Sequence, residues 1–422
     1  MAADPAPAAP RKRRRVLPAL AALALLLLLS LGWFSQPDRA AGLLLGRIGA
    51  ALGLEIEAAG ASEYRLRGTP MLLLRDVRVR EPGATTPLLT AGRIQLSLPW
   101  STLRARGDDL TVERVELDAP QLDLPSLQRW LASRPPSQQT RIPTLTRGLR
   151  IVDGRILNHD WRIDGVGADL PALYPDQPVR ARLRGRYVDA PLGIAFDLAV
   201  ALSRPAANAG LGTRGDISIE QSDWRLPAKV ALSGPLRIGD DELSIVPARL
   251  GASARYESGD TRLPFALGLY GPLKFDEAVW SLEPVALALR AQGDDNPLPT
   301  LDAHGALALG RRLVLQLDGR VAAWPQAWPA LPSPLGESTS PLPFELRYLG
   351  KPDLSEPAQL RLSRDEMRAD TRFRLPAVLA WIGADGGSPL PPLRATVTAP
   401  RMQVSGATLE AVEIELDEDA AP

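Results

Sequence analysis

Ile194-Ala195-Phe196-Asp197-Leu198-Ala199-Val200-Ala201-Leu202 alternates bulky apolar side chains with small or charged ones. A period of two puts Ile194, Phe196, Leu198, Val200 and Leu202 on one face of an extended strand. The rhythm recurs downstream in Lys229-Val230-Ala231-Leu232, Phe265-Ala266-Leu267-Gly268-Leu269 and Val285-Ala286-Leu287-Ala288-Leu289. It continues in Leu313-Val314-Leu315-Gln316-Leu317, Phe344-Glu345-Leu346-Arg347-Tyr348 and Ala395-Thr396-Val397. One face is bulky and apolar, and the other holds Ala, Arg, Gln, Thr and Asp. The expected fold is therefore mainly β: a long, twisted, antiparallel-rich β-sheet curled into a trough, with a few short helices.

Upstream, Arg75-Asp76-Val77-Arg78-Val79-Arg80 and Arg93-Ile94-Gln95-Leu96-Ser97-Leu98 alternate in the same way. Thr111–Asp118 reads as a further strand, and its phase slip at Glu113-Arg114 predicts a bulge. Ser126–Leu131 reads as one or two helical turns, and Ala377–Ile382 as a short helix after Pro376. Gly234-Pro235-Leu236 and Gly271-Pro272-Leu273 read as turns between strands. Ser133–Thr146 is polar and Pro-rich, which marks a boundary between an amino-terminal module at 37–132 and a β-sheet region at 147–422.

The start of the chain is different. Arg11-Lys12-Arg13-Arg14-Arg15 precedes an apolar run from Val16 to Phe34. As a helix this run is about 28 Å long, close to the hydrocarbon thickness of a bilayer. The cations orient it with residues 1–15 as a cytoplasmic tail, and Trp33 suits the far headgroup zone. The expectation is an uncleaved transmembrane anchor at 16–34. A cleavable secretory signal is the rival, but Leu31-Gly32-Trp33-Phe34 is a poor cleavage context and Ala40-Ala41-Gly42 lies late. After Pro37-Asp38, Leu44, Leu45, Ile48 and Leu52 recur at helical spacing.

Composition removes several function classes. Net charge is zero, so no field holds a nucleic acid. The absence of cysteine removes disulfides, thiol nucleophiles and cysteine-ligated metal sites. Only His159 and His304 are available as imidazoles, and His159 sits in an Asn-His-Asp turn sequence. Gly107-Asp108-Asp109, Gly239-Asp240-Asp241 and Gly293-Asp294-Asp295 offer paired carboxylates, but Gly-Asp is also ordinary turn chemistry. There is no phosphate-binding Gly-rich loop and no nucleophile elbow. No catalytic residue, metal site or cofactor is expected. Trp161, Trp224 and Trp280 lie in or beside candidate strands and read as core. Trp324 and Trp328 lie in a Pro-rich loop.

The order of the first third carries a resemblance. A basic-flanked anchor leads into a Gly/Leu helix, then LLLRDVRV (72–79), PLLTAGRIQLSLPWSTL (87–103) and LTVERVELDAPQLDL (110–124). This resembles the amino-terminal module of the AsmA-like family of envelope proteins over roughly residues 11–131. Leu124-Pro125-Ser126 stands where such modules continue into an Asn-Trp pair, as in a divergent member. The resemblance implies an inner-membrane anchor with the bulk of the chain in the periplasm. It also implies a groove of β-strands and a role in moving or organising outer-envelope lipids.

One-sided strands without helices to cover them must hide their apolar face somehow. A trough completed by acyl chains is the favoured solution, with prolines bounding the sheet edges. Its candidate wall is Ile94, Leu96, Leu98, Phe196, Leu198, Val200, Leu267, Leu287 and Leu315. The expected partner is a phospholipid or another envelope lipid. The alternative is an assembly or secretion scaffold whose apolar faces pack on each other and whose loops bind envelope proteins. What separates the two is whether the apolar side is open or self-covered.

Overall fold

The computed structural model describes residues 49, 53–60, 63–65, 68–104, 111–133, 142–239, 242–293, 296–323, 325, 341–364, 367–382, 392–404 and 407–417. The expected anchor at 16–34, the helix after Pro37, all six Gly-Asp-Asp aspartates, Trp324 and Trp328 lie outside these residues. Among the described residues, no helix is long and apolar enough to cross a membrane. The described chain is mainly β, with few short helices.

The chain divides into two compact units: Met1–Gln139 with Ile156–Asn158, and Thr140–Arg155 with His159–Pro422. The first holds β1 (Glu55–Ala58), β2 (Glu63–Arg65), β3 (Met71–Arg80), β4 (Leu89–Ser97), α1 (Trp100–Arg104), β5 (Thr111–Val112), β6 (Arg114–Asp118), β7 (Gln121–Asp123) and α2 (Leu124–Ala132). β3 pairs antiparallel with β1, β2 and β4, and β4 with β6 and β7. The phase slip appears as a break at Glu113, whose N–H donates to Ser97 O at 2.8 Å. Leu72, Leu74, Val77 and Val79 of β3 are buried, and Leu127 and Trp130 of α2 pack on this core. The helix is longer than the spacing predicted. Asp123 caps it by accepting from the Ser126 N–H at 2.9 Å, and Pro125 fits the first turn.

The second unit begins with β8 (Thr144–Leu145) and the main part of β9 (Leu149–Leu157). Then follow β10 (Arg162–Leu170), β11 (Val179–Asp189), β12 (Leu192–Leu202), β13 (Asn208–Gln221), β14 (Trp224–Ile238), β15 (Leu243–Ser258), β16 (Thr261–Asp276) and β17 (Val279–Ala291). The unit closes with β18 (Thr300–Leu309), β19 (Leu313–Ala323), β20 (Leu342–Gly350), β21 (Ala358–Arg364), β22 (Met367–Phe373), α3 (Leu375–Ile382), β23 (Leu393–Val404) and β24 (Ala407–Asp417). From β10 onward each strand pairs antiparallel with the next, so the sheet is a meander built from hairpins. The helix expected at Ala377–Ile382 after Pro376 is present but starts two residues earlier, at Leu375, so that Pro376 falls in its first turn, where a missing N–H costs little.

The two Gly-Pro-Leu sequences are not turns. They lie inside β14 and β16, which run for 15 and 16 residues. The pairing register shifts between Ser233 and Leu236, Ile245 and Ala248, Tyr270 and Leu273, and Leu282 and Val285. Pro235, Pro247, Pro272 and Pro284 occupy these four shifts, one per strand from β14 to β17. A proline has no N–H for the ladder, and a bulge bends its strand and adds twist. The four prolines therefore draw a crease across neighbouring strands. A Cβ on Gly271 would stand 2.3 Å from Pro284 O, so only glycine lets the strands meet there.

The sheet edge also departs from expectation. β24 carries no proline, whereas the strand interiors do.

Candidate functional site: the apolar face of the meander

Cross-strand partners share a face, so pairing traces that face from strand to strand. Ala181 of β11 lies opposite Val200 of β12, and the line continues through Thr213, Leu232, Leu250, Leu269 and Leu287 of β13–β17. It runs on through Ala303, Gly319, Phe344, Leu362, Ala369 and Val397 to Ile414 of β24. A second line passes through Ala168, Leu183, Leu198, Gly215, Val230, Ala252, Leu267, Leu289, Leu301, Val321 and Leu342. A third, beyond the crease, holds Leu236, Ile245, Leu273, Leu282, Leu307, Leu315 and Tyr348. The three lines contain no charged side chain.

Five of the nine candidate wall residues lie on these lines, Leu198, Val200, Leu267, Leu287 and Leu315, and a sixth, Phe196, lies two residues before Leu198 on the same side of β12, opposite Gly185 and Ile217. The other three lie elsewhere. Ile94 and Leu96 are on β4 opposite Leu74 and Leu72, and Ile94 packs into the first unit's own core. Leu98 follows β4, and its N–H donates to Pro70 O at 2.9 Å. Sequence reasoning missed Leu250, because Ala248–Ala254 is Ala-, Gly- and Ser-rich and its alternation is faint.

Exposure changes along the face. Leu183 is 37% exposed, and Leu198, Val200, Val230, Leu232, Leu250 and Leu267 are half-buried. Farther on, Val285, Leu317, Val321, Leu342, Phe344 and Met367 are buried in one cluster that also takes in partly buried Leu269 and Val412. Thr213 interrupts the first line, and its Oγ1 is buried without a hydrogen-bond partner. The three tryptophans read as core are not buried: Trp161 and Trp224 lie at hairpin ends, tilted against Tyr187 and Tyr256 with ring centroids 5.5 and 5.9 Å apart. Trp280 is 38% exposed beside Phe275.

The other face is polar and paired across strands. Arg182 holds Asp197 through two contacts of 2.8 and 2.7 Å, Arg225 and Arg255 share Glu257, and Arg361 reaches Asp370 at 2.9 Å. The Arg182 guanidinium holds the Asp197 carboxyl below its ordinary value, and the Arg225 guanidinium does the same to Glu257. Asp370 is lowered first by the Gln359 amide and then by Arg361. A basin of about 980 Å³ opens on this face, lined among others by Asp302, His304, Asp318, Arg320, Arg361 and Arg368. His304 thus belongs to a surface of mixed sign. Among the described residues, no three His, Asp or Glu side chains are placed to hold a metal ion.

No family model, curated protein or solved structure matches the chain.

Proposed function

We propose that this protein binds lipid acyl chains along the apolar face of β11–β16, as an envelope protein held to the inner membrane by residues 16–34. The observation that carries the reading is the exposure of that face. On the first two lines its leucines and valines run across these strands without becoming fully buried, from Leu183 and Leu198 to Leu267 and Leu269. Among the described residues, the close backbone neighbours of these strands are the adjacent strands of the same sheet. A partly exposed apolar face spread over several strands is the kind of surface that serves as an interaction site. Acyl chains suit it, because the three lines offer no charge and two hydroxyls, of which that of Tyr348 already donates to Lys351 O at 2.7 Å. The AsmA-like order of the first third supports the same reading: membrane anchorage, a periplasmic location and a part in outer-membrane homeostasis.

The test keeps the chain whole. A photo-crosslinking residue replaces Leu232 or Leu250 on the apolar face, or Lys229 or Ser253 on the polar face, in cells that make the full protein. Phospholipid adducts are expected from the first pair and not from the second. Adducts to protein alone from the apolar positions favour the scaffold alternative. Equal lipid labelling from both faces refutes a one-sided site.

A further inference from the structure

We propose that the free edge of β24 accepts an extended segment of a second protein whose side chains alternate between apolar residues and Lys or Arg. Among the described strands β24 pairs only with β23. An exposed edge of this kind is usually blunted by lysine, proline or a bulge. Residues 407–417, ATLEAVEIELD, contain neither lysine, arginine nor proline.

A break does occur at Ala411. Its φ is +52°, and it falls opposite Pro400, between the pairs Ala399–Val412 and Arg401–Glu410. This confines regular pairing geometry to Val412–Asp417. Within that segment Val412 and Ile414 are half-buried and continue the apolar face, while Glu413 and Glu415 are exposed on the other side. Their partners in β23 are Thr398 and Thr396, so no cation stands across from either glutamate. Among the described residues the edge therefore presents backbone groups with no strand partner, an apolar row on one side and, on the other, two glutamates with no cation directly across.

These features choose among occupants. A second copy of β24, paired antiparallel, would set glutamate against glutamate, and like charges directly opposite destabilise a strand pair. A strand of alternating apolar and cationic residues satisfies both faces and supplies the main-chain hydrogen bonds of strand addition. The apolar lines then run on into the partner without interruption.

The experiment uses the full chain in nanodiscs and two fluorescent peptides, one alternating Val and Lys, the other Val and Glu. Anisotropy should show the Val/Lys peptide binding at least about tenfold more tightly, a difference in the range that paired charges produce. Hydrogen exchange should show protection of the amides of 412–417 when it binds. Raising salt from about 0.05 to 0.5 M should weaken the complex, since exposed charges are screened. The Glu413→Lys/Glu415→Lys variant should prefer the Val/Glu peptide. Equal binding of the two peptides, protection only at other strands, or no binding of either overturns the proposal. If the double variant does not fold, the salt response and the exchange map of the unaltered chain still decide it.

Discussion

The apolar face has two regions with the same sequence rhythm and different fates. From β11 to β16, while Leu236 and Ile245 beyond the crease are buried, the side chains of the first two lines remain partly exposed, with Leu183 at 37%. From β17 to β22 they close: Val285, Leu342 and Met367 are 1%, 2% and 2% exposed. Alternation decides which side chains share a face, but not whether anything lies above them. In one layer, neighbouring strands shield only the flanks of a leucine. Exposure of 2% needs atoms over its tip as well, and the cluster that joins β16 to β24 supplies them. The open region lacks that closure, and it is where ligand binding is proposed.

Truncating one leucine in each region tests this contrast most severely. Leu342→Ala should cost about 3 kcal/mol, the middle of the range for a buried leucine. Leu250→Ala, half-buried, should cost about 1 kcal/mol, because it removes less area from contact. Denaturant unfolding of the full chain measures both. Similar losses at the two sites would mean that the face is uniformly packed and the open region is an illusion of shape. Leu250→Asp should leave the fold in place and abolish lipid adducts.

The crease gives the next effect. Gly271→Ala pushes a Cβ to 2.3 Å from Pro284 O, so the two strands must part. A loss of about 2 kcal/mol is expected, in the range of backbone and overpacking substitutions. Gly268→Ala, on the same strand, meets nothing nearer than the Ala288 Cβ at 3.9 Å and should be tolerated. Equal behaviour of the two variants would remove the crease as the feature that separates the open region from the strand ends beyond it.

Much of this architecture was legible because its signal is local. A period of two in Ile194–Leu202 or Phe344–Tyr348 depends only on the pleat, so strands and their inner faces could be read directly. Gly-Pro-Leu was misread because proline marks both turns and bulges. Only the cross-strand alignment of Pro235, Pro247, Pro272 and Pro284 separates the two, and alignment is not a property of one strand. Burial was illegible for the same reason. Nothing in Leu267 or Leu342 as residues says that one stays half-exposed and the other is sealed. The three tryptophans read as core sit at hairpin ends because a large ring there can lie along a neighbouring tyrosine or phenylalanine.

A smaller effect lies within the open region. Thr213 Oγ1 has no hydrogen-bond partner, although its neighbours along the line are Val200 and Leu232. Thr213→Val keeps the shape, removes the unsatisfied hydroxyl and should raise stability by about 1 kcal/mol. A loss instead would show that the hydroxyl serves a partner, and the polar group of a bound lipid would be the first candidate.

The least effect is expected on the polar face, where the two regions should not differ. Asp197 pairs with Arg182 in the open region, and Asp370 with Arg361 in the closed one. Both carboxyls have folded-state values below their ordinary ones. Their stabilisation is therefore present above the ordinary carboxylate value of about 4 and is lost as pH falls through the lowered folded value. All four side chains are more than two-fifths exposed, so solvent and salt screen them. Asp197→Asn and Asp370→Asn should each lower stability slightly at pH 7, by similar amounts, and by nothing at high salt. Both variants should lose less than the unaltered chain when the solution is acidified. A much larger loss at Asp370 would mean that closure reaches through the sheet to its polar side. Equal losses would confine the difference between the two regions to the apolar face alone, where a ligand would meet it.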